Sequence, residues 1–184
     1  FDLFSYDIVM SKKLLKKVGF DKKNPMPVIT VGYNSNPMHK TVMENVQYQL
    51  NQNLNLKVNI LNQDWKTYLG SLRRDSMFSI YRLGWGGTYP VPHNYFTLLA
   101  SDEPNNYTGW KNTEYDQILN RALSTEGVEQ NQLYDQALKI ISQEAPVIPL
   151  FSLRNYSLVS ARVLNYRNNP YGNIHFDTLK LNTN

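Results

Sequence analysis

Arg82 and the run Gly84-Trp85-Gly86-Gly87 are the residues of this 184-residue chain best suited to chemistry with another molecule. An arginine guanidinium can form a bidentate pair with a carboxylate. Glycines at the end of a strand let another backbone approach closely, and Trp85 between them offers an aromatic surface. On pattern alone two ordinary alternatives stay open: Trp85 as a core aromatic and Arg82 as a strand residue facing solvent. A catalytic constellation is harder to find. The chain has no G-x-S-x-G elbow, P-loop or H-E-x-x-H, and Gly84 to Gly87 lack the spacing and the following helix of a dinucleotide fingerprint. Asp64, Asp75, Asp102 and Asp116 read as caps or loop residues. The 3 histidines, His39, His93 and His175, have no helical or hairpin spacing for a metal, and 0 cysteines exclude a thiolate zinc site, a disulfide framework and a cysteine nucleophile. No cofactor or metal is expected, and the residues favour binding over catalysis.

Charge narrows the partners. The net charge of +4 invites a nucleic-acid reading, but the basic residues cluster only at Lys12, Lys13, Lys16, Lys17, Lys22 and Lys23. That run reads as the solvated face of a surface helix, so no nucleic acid is expected. Hydrophobic residues at 41% and charged residues at 18% suit a folded chain. No stretch approaches the roughly 18 apolar residues of a membrane span. The chain opens at Phe1 with no signal-peptide pattern after it, which is expected of a piece of something longer.

The elements that must position Arg82 and Trp85 follow from two alternating periods. Ile8, Leu14, Leu15 and Val18 form an apolar stripe on a lysine-rich helix that Gly19 ends. Val28 to Tyr33 reads as a buried strand, Met38 to Asn53 as a helix, and Leu56 to Leu61 as a second strand. Trp65, Tyr68, Leu69 and Leu72 face one way on a short helix, and Met77 to Arg82 is a third strand ending at the glycines. Turn chemistry fills Gly86 to Pro92. Helices are expected over His93–Ala100, Thr113–Ser124 and Glu129–Glu144, then a strand over Val147–Phe151. Asn165 to Asn169 reads as a loop, and Ile174 to Leu181 as a weak strand. Strands separated by helices predict an α/β fold with a sheet of mixed direction and helices on its faces. In such a sheet ligands bind outside the carboxyl ends of the strands, where Arg82 and Gly84 lie.

Seven segments carry a resemblance. They are Ser11 to Phe20 (SKKLLKKVGF), Asn53 to Val58 (NLNLKV), Asn62 to Leu69 (NQDWKTYL), Phe78 to Trp85 (FSIYRLGW), Asn112 to Asp116 (NTEYD), Leu133 to Ala137 (LYDQA) and Ala145 to Leu150 (APVIPL). In order and spacing they resemble the C-terminal third of bacterial solute-binding proteins of the oligopeptide and dipeptide ABC transporter family. The resemblance implies one lobe of a two-lobed, periplasmic-binding-protein-like (type II) fold. Residues 1–164 would form the ligand-binding lobe, and residues 165–184 would return toward an N-terminal lobe outside this sequence. It also implies an extracytoplasmic protein, a cell-surface lipoprotein or a periplasmic one, that encloses peptides by hinge closure and delivers them to a membrane permease without catalysis.

The resemblance also assigns a site. The ligand backbone would pair with the main chain around Gly84, Trp85 and Gly86. His39, Arg82 and Arg73 match positions the family uses around peptide carboxylates, with Arg74 the alternative to Arg73 if one residue is inserted between Trp65 and Trp85. Their ordinary readings are a polar residue in a first helical turn for His39 and a solvated helix end for Arg73. Peptide-binding members commonly place an aspartate three residues after the loop tryptophan, where it pairs with the ligand amine. Here that position is Thr88. The relatives also include binders of nickel complexes, haem and oligosaccharides and receptors for peptide pheromones, and a sugar would suit Trp85 and Tyr89 as stacking platforms.

Overall fold

Ile29–Asn34 (β1) alternates hydrophobic residues with Thr30, Gly32 and Asn34, and this splits the strand into two unlike faces. In the computed structural model, which describes residues 5–73, 77–154, 156–167 and 174–182, β1 is the central strand of a three-stranded parallel sheet. Its neighbours are Val58–Gln63 (β2) and Ile80–Tyr81 (β3), in the order β2-β1-β3. The register runs from Ile29 opposite Val58 to Asn34 opposite Gln63, and sets Gly32 opposite Tyr81. By packing, the chain forms two compact units, Phe1–Gly84 and Trp85–Asn184.

In the first unit Ile29, Val31, Tyr33 and Val58 form one core with Met43 of Pro37–Leu54 (α2) and with Leu56, and Val42, Val46 and Leu50 of α2 pack against it. α2 starts where Asn36 accepts hydrogen bonds from the Met38 and His39 amides, with Pro37 in the first turn. It ends at Asn55, which is left-handed (φ 55°), and the Leu56 amide donates to the Leu50 carbonyl. That stop uses the Leu56 backbone, so β2 begins at Val58 and not at Leu56, although Leu56 is buried as its apolar character demands.

On the opposite side of β1, the Phe78 ring lies 2.6 Å from where a Cβ on Gly32 would stand, so only glycine fits there. Trp65–Leu72 (α3), capped by Asp64, brings in Tyr68, which is fully buried. β3 is shorter than the expected Met77 to Arg82. Ser79 turns its hydroxyl, not its backbone, to the Thr30 amide at 3.2 Å, while the Ser79 and Arg82 amides still donate to β1 at Thr30 and Gly32. The lysine-rich helix is Ile8–Lys17 (α1). Of its expected apolar stripe, Leu15 packs on the core, whereas Leu14 and Val18 are exposed.

The second unit is built on Thr113–Leu123 (α5) and Gly127–Glu144 (α6), whose Tyr115, Ile118, Leu119, Ala122, Leu133, Tyr134, Ala137 and Ile141 form its core with Leu99. Before them, His93–Phe96 (α4) continues as a 3-10 turn through Leu99. The strand expected over Val147–Phe151 is not formed: the segment is unpaired, and Ile148, Leu150 and Phe151 are exposed. Val163–Leu164 (β4) and Lys180–Leu181 (β5) make an antiparallel pair in a separate small sheet, with a 3-10 turn at Phe176–Thr178. Parallel and antiparallel pairing thus both occur, but in different sheets. Of the expected Asn165–Asn169 loop, Asn168 and Asn169 lie outside the described residues, as do Asp75 and Arg74.

Candidate functional site

The carboxyl ends of β1 and β3 in the first unit gather two of the residues singled out above. Asn34, the last residue of β1, holds both. Its side-chain oxygen accepts from Arg82 Nη1 at 3.4 Å, and its carbonyl oxygen lies 3.3 Å from His39 Nδ1. Arg82 follows β3 and is half-buried; its amide donates to the Gly32 carbonyl at 2.8 Å. The Tyr68 hydroxyl donates to the Arg82 carbonyl at 2.7 Å and lies 3.1 Å from the Gly32 carbonyl. Burial drives the Tyr68 phenol far above its usual pKa, so it stays a neutral donor. Arg82 is therefore fixed at its backbone by two hydrogen bonds while its guanidinium is turned on an uncharged amide.

Electrostatics at this site favour an anion. Among the described residues no carboxylate pairs with Arg82. Its pKa falls through burial, yet a guanidinium remains charged. His39, in the first turn of α2, is 8% exposed. Its pKa lies below the usual imidazole value because burial, and after it the Arg82 charge, disfavour the cation; the Asn34 carbonyl opposes both. The amino end of α2 adds its partial positive charge. The Met38 and His39 amides are occupied by the Asn36 cap, so α2 offers its dipole and His39 but not those donors.

Gly84 lies beside the Arg82 side chain. A Cβ there would stand 3.1 Å from Arg82 Nη2, so the glycine leaves room for the guanidinium beside it. Arg73 closes α3 as its exposed C-cap and joins neither the His39 nor the Arg82 contacts.

In the second unit Trp85 is 46% and Tyr89 50% exposed, which removes the core-aromatic alternative for Trp85. Gly86 faces open space, whereas a Cβ on Gly87 would meet Tyr95 Oη at 2.6 Å and Asn94 Nδ2 at 2.9 Å. Asn94 organises this loop: its Nδ2 donates to the Tyr89 carbonyl at 3.3 Å, and its Oδ1 accepts from the Thr88 hydroxyl at 3.4 Å. The Thr88 hydroxyl thus serves the loop's own shape. Sequence reasoning missed Asn34, Tyr68 as an anchor, and Asn94. Only Asn34 had a usable signal, as a polar residue closing a buried strand of a parallel sheet. Among the described residues no cluster of three or more His, Asp or Glu side chains is placed to hold a metal ion.

These features can be set beside known proteins. Over 145 residues the chain is 34% identical to the probable deoxycholate-binding periplasmic protein YgiS of Escherichia coli, covering 78% of this chain and 27% of that protein. Over 162 residues it is 32% identical to the periplasmic murein peptide-binding protein MppA of Escherichia coli, covering 87% of this chain and 30% of the relative. The solved structure of Escherichia coli MppA superposes with a TM-score of 0.85 at 30% identity, over 95% of this chain and 34% of that one. Haemophilus influenzae OppA, solved in complex with RPPGFSPFR, gives 0.82 at 27% identity, over 95% of this chain and 34% of that one. The chain therefore spans about a third of the length of these relatives. Residues 1–107 match the model for bacterial extracellular solute-binding proteins, family 5, middle region, and the chain belongs to that family.

Proposed function

We propose that this chain is the greater part of one lobe of an extracytoplasmic solute-binding protein that captures short peptides by their carboxylate for an ABC importer. The observation that carries the reading is Arg82, held by Asn34 and Tyr68 at the carboxyl end of the parallel sheet with no acidic partner among the described residues. A ligand carboxylate supplies the missing charge, and His39 on the same Asn34 becomes its second donor once protonated. Trp85 and Tyr89 are exposed, and β-type pairing of a ligand backbone with the main chain around Gly84, Trp85 and Gly86 would accept many side-chain sequences. Arg73, the exposed C-cap of α3, is the second arginine proposed for the ligand carboxylate. No covalent step is involved. Binding energy closes two lobes over the ligand, and a permease partner receives it.

Two further features support the two-lobed reading. The relatives are about three times longer. Val147, Ile148, Leu150, Phe151, Leu153, Leu158 and Val159 are exposed, and no backbone hydrogen bond joins the described residues of this segment, which suits strands completed by the N-terminal lobe. The return toward that lobe is placed, on this reading, at residues 165–184, with the exposed segment as a further contact of the N-terminal lobe. Thr88 leaves the ligand amine without a carboxylate from this loop.

Native mass spectrometry of the complete two-lobed protein tests the reading, beside the Arg82→Met variant. A ladder of bound masses matching short peptides, lost in the variant, is the expected result. A single mass without a carboxylate, or peptide binding unchanged by Arg82→Met, overturns it. A single amine-free carboxylic acid would keep the Arg82 site and replace the peptide.

A further inference from the structure

α1 buries none of its residues fully, although its sequence has the pattern of a packed helix. Leu15 holds it to the core, and the Tyr6 hydroxyl accepts from Asn53 Nδ2 of α2 at 3.0 Å. Met10, Leu14 and Val18 recur every four residues and so line up along one side of the helix; they are 48%, 53% and 66% exposed. Lys13 and Lys17 flank that row, and Lys12 and Lys16 continue the basic surface beyond it. All four lysines are exposed. The helix stops in a double turn: the Phe20 amide donates to the Leu15 carbonyl at 2.9 Å and the Gly19 amide to Lys16 at 3.1 Å, with Gly19 at φ 94°. This stop delivers Lys22 and Lys23, also exposed, directly after it.

The charge is concentrated here. Ile8 to Lys23 carries six lysines and one acid, Asp21, a net +5 against +4 for the whole chain, so the rest of the chain sums to −1. Asp21 is held by backbone donors, its carboxylate accepting from the Lys23 amide at 2.7 Å and the Asn24 amide at 2.9 Å; it feels the Lys16 charge, but among the described residues none of the six lysines forms a direct ion pair.

We propose that α1 and the turn after it form a docking face for an anionic lipid surface. Lysines alone would fit any polyanion. The exposed row of Met10, Leu14 and Val18 beside them would stay in water against a nucleic acid, whereas at a bilayer it enters the boundary between headgroups and chains while the lysine stems reach out to lipid phosphates. Among the described residues no helix is long and apolar enough to cross a membrane, so the contact is interfacial. With a ten-residue helix it is reversible and weakened by salt. The proposal goes beyond the ligand reading and does not depend on it.

Vesicle co-sedimentation tests it, with the 184-residue chain and with the longer protein that contains it. The vesicles are phosphatidylcholine alone, or phosphatidylcholine with phosphatidylglycerol. Both proteins are expected to partition about tenfold more onto the anionic vesicles, with the excess removed by high salt. A variant with Lys12, Lys13, Lys16 and Lys17 changed to Gln is expected to fall to the neutral-vesicle level. A variant with Met10, Leu14 and Val18 changed to Ser is expected to lose several-fold while keeping the salt dependence. These side chains are exposed, so circular dichroism is expected to show both variants folded. Equal binding to both vesicles, binding to neither, or no effect of the lysine changes overturns the proposal. So does full binding by the serine variant, which leaves only general polycation attraction. Binding by the 184-residue chain but not by the longer protein overturns it as well, because another part of the polypeptide then covers the face.

Discussion

Replacing Tyr68 by Phe removes one oxygen from a side chain that is 0% exposed, and leaves its ring to pack as before between Trp65 at 6.4 Å and Phe78 at 5.7 Å. No cavity opens, so the cost is that of the hydrogen bonds. Two carbonyls face the hydroxyl, Arg82 O at 2.7 Å and Gly32 O at 3.1 Å, but Gly32 O also accepts from the Arg82 amide at 2.8 Å. Only the Arg82 carbonyl is left without a partner, which sets the loss at about 1–3 kcal/mol rather than twice that. For a unit of this size, a loss near the middle of that range lowers the melting temperature by roughly 8–16 °C. Urea unfolding of the 184-residue chain followed by circular dichroism measures it, with an unchanged slope expected in the transition. In the longer protein the same change is expected to weaken carboxylate binding, since Arg82 loses one of its two backbone anchors. A stability loss below about 0.5 kcal/mol with unchanged slope would refute the reasoning: water would then be reaching the Arg82 carbonyl, and Tyr68 would not be what pins the strand end.

Two other changes probe different parts of the molecule. Gly87→Ala would drive a methyl group to 2.6 Å from Tyr95 Oη and 2.9 Å from Asn94 Nδ2. It is expected to cost about 1–3 kcal/mol and to quench or shift Trp85 fluorescence; an unchanged spectrum and melting curve would show that the loop yields freely. The lowered pKa of His39 means the folded chain prefers neutral imidazole, so its contribution to stability is complete above the usual value of 6.5 and is lost as pH falls through the lowered one. His93 is shifted the same way, so the informative quantity is the difference between the native chain and His39→Gln. The native chain is expected to lose more stability than the variant between pH 7 and pH 5, and parallel pH profiles would contradict the account.

Local chemistry made most of the first 84 residues legible. Asn36-Pro37 and Asp64 announce the helices they cap, and Ile29, Val31 and Tyr33 announce a buried strand face. What escaped was decided by partners distant in sequence. Ser79 spends its hydroxyl on Thr30, which trims β3. The apolar character of Val147 to Phe151 is that of a strand, yet no neighbour pairs with it among the described residues. At the site, Arg82 and Gly84 stand out in the sequence, but the close approach of the Arg82 guanidinium to Gly84 is announced by no local pattern. Asn34 carries the signal of a polar residue closing a buried strand, but its role as a hub depends on one contact 48 positions away and another made by its carbonyl.

The choice of an amide to hold Arg82 has a practical consequence. A guanidinium tied to aspartate is neutralised internally and largely indifferent to the solution around it. One tied to Asn34 keeps its full charge, which leaves it open to an anion from solution. On the proposed reading chloride, phosphate and acetate would compete with the ligand carboxylate, and an apparent dissociation constant would shift with the buffer anion.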